Sequence, residues 1–247
     1  MPPLKYFVPN TVTALSLLLG LASVVLSAKG NFELAAWMIL WGTLLDKADG
    51  TAARLCNATS EFGVQFDSFA DFVSFGIAPA ALFYYRLGAL HSGVTPPVVA
   101  AAAGLYAVAL SVRLARFNIT TGGESIFLGL PGTLMGALLA SGYLTWAKYG
   151  LSTALLELAP VYLVVASALM VSSLRIPKLK LRKNKAVNAF QLANVAAGYV
   201  LAPLMLLPEY LFGLGTVYAL GGLAWGFMSP PAAEPEAGKE PEERLAA

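Results

Sequence analysis

Eight stretches of mostly apolar residues follow one another along this chain, near 8–28, 32–55, 62–86, 95–116, 128–147, 154–174, 188–206 and 209–228. Each has about the 20 residues that cross a bilayer as a helix. Charged residues make up 12% of the chain and hydrophobic ones 57%, whereas soluble domains are roughly a quarter charged. The reading is an all-α, polytopic membrane helix bundle. The first stretch has no signal-peptide cleavage pattern and reads as a retained helix.

Lys and Arg set the orientation of such a bundle. With the N-terminus placed in the cytoplasm, Lys29, Arg86 and Lys148 fall outside, and the other 13 of 16 basic residues fall on the cytoplasmic side. A multi-pass protein of the cell (cytoplasmic) membrane is expected. Residues 1–228 form its integral membrane domain, and 229–247, rich in Pro, Glu and Ala, form a disordered cytoplasmic tail. A net charge of +2 without interleaved basic and aromatic residues gives no reason to expect nucleic acid. Cys56 is the single cysteine and His91 the single histidine, so thiolate metal sites and Ser–His or Cys–His catalysis have no material. The basic run 175–185 reads as a topology signal that also attracts anionic lipid headgroups. Gly132, Gly136 and Ala140, and likewise Gly222 and Gly226, form stripes that permit close helix packing within one chain or between two.

Every aspartate of the chain lies between residues 46 and 71: Asp46, Asp49, Asp67 and Asp71. A carboxylate at membrane depth costs about 2.5–3.5 kcal/mol on insertion scales and marks a functional site by default. Asp46, Asp49, Gly50, Ala53 and Arg54 share one stripe of a helix, and Gly63, Asp67 and Asp71 share a stripe of the next. The loop between Arg54 and Glu61 is short enough to return the chain antiparallel. The two stripes then face each other, and four anions meeting there require cations. Oxygen-only ligands select the hard ions Mg²⁺ or Mn²⁺. Gly50 and Gly63 leave room for a ligand beside the backbone, and Arg54 supplies a cation for phosphate oxygens. Together these features describe a diphosphate pocket in which two divalent ions suit an in-line displacement at phosphorus. Pairing with Lys47 and Arg54 alone would leave two acids unmatched. A cation pathway is the reading from another class. The acids gather near one face rather than at the midplane, and no second broken-helix repeat accompanies them.

The spacing Asp46-x2-Asp49-Gly50-x2-Ala53-Arg54-x8-Gly63-x3-Asp67-x3-Asp71 resembles the signature of the CDP-alcohol phosphatidyltransferase family at every fixed position. FDSFADFVSFGIAPA (66–80), RLARFN (113–118), FLGLPG (127–132) and MVSSLRIPKLK (170–180) resemble its membrane-type phosphatidylserine synthase branch. The likeness runs from about residue 8 to 206. Position 133 departs from the branch pattern GLPxPxA, with Thr133 in place of the second proline. The resemblance implies a core of six spans, here with two more, usually a homodimer. It implies that L-serine and CDP-diacylglycerol give phosphatidylserine and CMP, with glycerol phosphate, inositol or inositol phosphate as alternative acceptors. It places metal ligation on Asp46, Asp49, Asp67 and Asp71, and the catalytic base on Asp71. Binding of the CDP-lipid falls to Asn10, Thr13, Gly50, Ala53, Arg54, Ser60 and Gly63. Arg113, Arg116 and Asn118 are the candidates for the serine acceptor, the arginines as a bidentate clamp on its carboxylate.

Overall fold

The computed structural model describes residues 6–55, 60–90, 93–119, 126–177 and 185–228. The tail 229–247, Cys56, His91 and residues 178–184 of the basic run lie outside the described residues. Helices α1 (Phe7–Ala28) and α2 (Phe32–Leu55) lead into α3 (Glu61–Asp71), a π-helical turn (Phe72–Ile77) and α4 (Ala78–Ala89). Next come α5 (Pro96–Ile119), strand β1 (Ile126–Leu128), α6 (Gly132–Tyr149), α7 (Thr153–Glu157), α8 (Ala159–Val171), strand β2 (Arg175–Pro177), α9 (Lys185–Leu201) and α10 (Pro208–Met228).

Each of the eight predicted stretches contains helix, and the architecture is an all-α membrane bundle. Among the described residues, four helices are long and apolar enough to cross a membrane: α1, the continuous Glu61–Ala89, α5 and α10. Three of the four remaining stretches show why they fall short. Asp46, Lys47, Asp49 and Arg54 dilute the apolarity of α2. The fifth stretch begins as a strand, so α6 starts only at Gly132. The sixth divides at Leu158, because Pro160 at the start of α8 cannot continue an incoming helix. Beyond the all-α expectation, β1 and β2 pair antiparallel, with Phe127 opposite Ile176.

Helix α1 shows how the bundle coheres. Its buried face is Pro9, Thr13, Ser16, Gly20, Ser23 and Ser27, spaced alternately four and three residues apart. Its outer face carries Leu15, Leu18, Leu21 and Val25, all exposed. A water-soluble helix has the opposite pattern. Small residues inside and large apolar ones outside suit a helix that meets lipid and packs by close approach.

The close approach is centred on the π turn. A Cβ on Gly20 would lie 2.6 Å from Ser74 Oγ, and one on Gly136 of α6 would lie 3.0 Å from the Phe75 ring. Ser74 donates to Ser16 O at 2.9 Å, and Phe75 is fully buried. Helix α9 and the turn after it are fastened to α2 by Tyr199 Oη donating to Leu44 O at 3.0 Å and Trp41 Nε1 donating to Ala202 O at 2.7 Å.

Candidate active site

Helices α2 and α3 carry the predicted carboxylates, and the structure brings them together. Oxygen atoms of Asp46, Asp49 and Asp67 lie within 4.8 Å of one another. Asp71, one turn beyond Asp67, lies within hydrogen-bonding reach of Asp46. Two bare carboxylates could not hold that approach, because their repulsion needs a shared proton or a cation between them. The donor set therefore fits a hard divalent ion: clustered carboxylate oxygens, partly or fully withdrawn from solvent.

The local sequence explains why α3 starts where it does. Ser60 is extended and its Oγ accepts from the Gly63 N–H at 3.0 Å, an N-cap. A side chain at Gly63 would press on Ser60 Oγ at 3.2 Å and reach Asn10 Oδ1 at 3.6 Å. Asn10, Ser60 and Gly63 thus form one corner beside the aspartates. Gly50 follows Asp49 directly on α2. Ala53 and Arg54 lie in the last turns of α2, and their side chains fall outside the described residues.

Two threonines hold individual carboxylates. Thr13 Oγ1 donates to Asp49 Oδ2 at 2.8 Å within the α1–α2 interface; Asp49 is 5% exposed. From the first turn of α6, the Thr133 hydroxyl comes within reach of the Asp46 carboxylate. In the sequence Thr133 stands out only as a departure from a pattern. Its contact could not be found there, because it depends on how α6 packs against α2. Gly129 and Gly132 fix that packing. Gly129 has φ +69° against the end of α8, and a Cβ on Gly132 would run into Leu110.

The three predicted acceptor residues ring the same end of the bundle. Arg113 Nη1 donates to Leu128 O at 2.8 Å, and its guanidinium lies within electrostatic range of Asp71. Arg116 Nη1 donates to Val171 O at 3.0 Å. Asn118 Nδ2 donates to Ser68 Oγ at 2.9 Å, beside Asp67 on α3. Ser68 and Tyr199 were not anticipated from the sequence; Tyr199 reaches within electrostatic range of Asp46 and Asp49 from α9.

Fold and site together define a membrane-embedded helix bundle whose carboxylate cluster can hold metal ions. The chain belongs to the CDP-alcohol phosphatidyltransferase family, whose model matches residues 6–159. It is 35% identical over 178 residues to a CDP-diacylglycerol–serine O-phosphatidyltransferase of Helicobacter pylori, covering 71% of this chain and 73% of the relative. A Bacillus subtilis protein of the same name is 33% identical over 70% of this chain and 92% of its own length. An archaetidylserine synthase of Methanothermobacter thermautotrophicus is 33% identical over 69% and 70%.

Proposed function

We propose that the chain transfers the phosphatidyl group of CDP-diacylglycerol to the hydroxyl of L-serine, releasing CMP and forming phosphatidylserine. The observation that carries the reading is the convergence of Asp46, Asp49 and Asp67, with Asp71 against Asp46, at one end of a membrane bundle. Serine as acceptor is supported by the names of the relatives.

Asp46, Asp49 and Asp67 would hold two divalent ions, Mg²⁺ or Mn²⁺, with Asp71 contributing to the second. When bound, such ions supply the positive charge that neutralises the diphosphate and the departing CMP. Thr13 and Thr133 orient the carboxylates of Asp49 and Asp46. Asn10, Gly50, Ala53, Arg54, Ser60 and Gly63 receive the CDP moiety. Asp71 takes the proton from serine Oγ. That oxygen then bonds to the phosphorus bearing the diacylglycerol, and the bond from this phosphorus to CMP breaks. Leu128 O occupies one N–H of Arg113, and the rest of the fork is available to the serine carboxylate, with Arg116 and Asn118 nearby.

The same reading places a core of six spans with two more in residues 1–228, and a homodimer. It also places the site at the cytoplasmic face of the cell membrane, supported by the Lys and Arg asymmetry.

CMP release by the purified protein tests the reading, with Mn²⁺ or Mg²⁺ and with L-serine, glycerol 3-phosphate, inositol and inositol 1-phosphate compared. The expected result is release with serine alone, lost in Asp67→Asn and on chelation. Release with another acceptor would overturn the serine assignment. Ion flux in liposomes without CMP release would overturn the enzyme.

A further inference from the structure

The helix Glu61–Ala89 contains one irregularity, and it begins at the residue after Asp71. Phe72–Ile77 is π-helical, and the Ala78 N–H donates to Val73 O, five residues back. Such turns are uncommon and recur at functional sites. Pro79 is the physical cause. It has no N–H to donate, and in a regular helix its ring would collide with the carbonyl four residues earlier, that of Phe75. Widening the turn relieves the collision and leaves the Phe75 carbonyl without a helix donor.

Tyr106 of α5 supplies the missing donor. Its hydroxyl reaches Phe75 O at 2.8 Å, and the residue is 0% exposed. The neighbouring residue is tied from the other side by Ser74 Oγ on Ser16 O. The widened turn is therefore clasped between α1 and α5, with Gly20 and Gly136 admitting it closely.

The rotation of the helix depends on this clasp. In a regular helix Phe75 would continue the stripe of Asp67 and Asp71 at i+8. One extra residue in the turn rotates the Ala78–Ala89 half by about 100° relative to the half that carries the aspartates. Phe75 can then fill the core while the two aspartates face α2. We infer that Tyr106 is a positioning residue for the reaction: by holding the carbonyl that Pro79 releases, it fixes the π turn that aims Asp67 and Asp71 at Asp46 and Asp49. This rests on the metal-holding role of the aspartates proposed above.

The test uses the full chain in detergent, with Tyr106→Phe, Pro79→Ala and the double variant. Mn²⁺ binding is followed by the electron paramagnetic resonance of free Mn²⁺, beside kcat, serine KM and the unfolding midpoint. Tyr106→Phe should weaken Mn²⁺ binding and lower kcat by roughly 3- to 10-fold, the range of one net hydrogen bond, with serine KM little changed. Pro79→Ala restores an N–H to residue 79 and lets the turn regularise, so it should weaken Mn²⁺ binding by itself. Adding Tyr106→Phe to it should then cost nothing more. Should Tyr106→Phe fail to fold, Pro79→Ala alone decides by the same Mn²⁺ titration. The inference is overturned if Mn²⁺ binding and kcat are unmoved while only the unfolding midpoint falls, or if Tyr106→Phe costs the same factor in both backgrounds. Absence of Mn²⁺ binding in the unaltered protein would overturn the metal site itself, and this inference with it.

Discussion

Thr13 on α1 and Asp49 on α2 are joined by a 2.8 Å hydrogen bond from the Thr13 hydroxyl to Asp49 Oδ2. Both residues are buried, so no water can replace the bond at low cost. It restrains the carboxylate of Asp49 beside Asp46 and Asp67. Thr13→Val keeps the shape and removes the donor. A hydrogen bond to a charged group contributes about 1.5–3 kcal/mol, so kcat/KM for CDP-diacylglycerol should fall by roughly 10- to 100-fold. Thr13→Ser should recover most of it. Steady-state CMP release across a Mn²⁺ titration measures both.

Thr133 stands in the corresponding place beside Asp46, from α6. It occupies the second position of that helix, after Gly132, where proline is tolerated because the first-turn N–H has no helical partner. Thr133→Pro should therefore fold with an unchanged unfolding midpoint. It should still accept serine, but need several-fold more Mn²⁺ for half-maximal CMP release. An unchanged Mn²⁺ requirement would show that the Thr133 hydroxyl does not serve Asp46.

Arg113 and Asn118 should separate in their effects on serine. Arg113 is anchored by Leu128 O and lies near Asp71. Arg113→Lys keeps the charge but loses the planar fork, and at a bidentate site that exchange is not conservative. Apparent serine KM should rise at least roughly 10-fold for Arg113→Lys, with the KM for CDP-diacylglycerol little changed. Asn118 bonds to Ser68 rather than standing free. Asn118→Ala should raise serine KM by less, about 2- to 5-fold. Initial rates over a serine titration decide.

Gly20 and Gly88 make a matched pair for stability. A side chain at Gly20 meets Ser74 backbone and hydroxyl atoms within 2.6–2.9 Å, whereas one at Gly88 meets nothing within 4 Å. Gly20→Val should destabilise the bundle by about 1–3 kcal/mol, the usual cost of overpacking. Gly88→Ala should leave the unfolding midpoint unchanged or slightly raised. Thermal unfolding in one detergent compares them.

The aspartate cluster of the candidate site was legible because its signals are local. The aspartates recur at helical spacing on both sides of a short loop, so their meeting point comes from periodicity alone. Helix positions were equally legible from apolar length. What escaped the sequence depends on partners far along the chain. Thr133 reaches Asp46, and Tyr106 reaches Phe75, only because α5 and α6 pack against the helices that carry the acids. Pro79 was visible, yet a proline in an apolar stretch announces a disturbed turn without saying which carbonyl is freed or what takes it. Strands β1 and β2 escaped for the same reason: three residues apiece, they exist through each other.

The pairing of Ile126–Leu128 with Arg175–Pro177 is closed off by side chains. Tyr218 Oη donates to Pro177 O and Arg113 Nη1 to Leu128 O, and Ile176 is 0% exposed, so the ladder has the protein partners that non-helical backbone needs in a membrane protein. Leu128, its last β1 residue, thereby holds Arg113 within electrostatic range of Asp71. Under the proposed function, a lipid whose diphosphate is engaged there keeps both acyl chains in the leaflet from start to finish. The traffic across the boundary is a small amino acid arriving and a nucleotide leaving, so the product is made already in place.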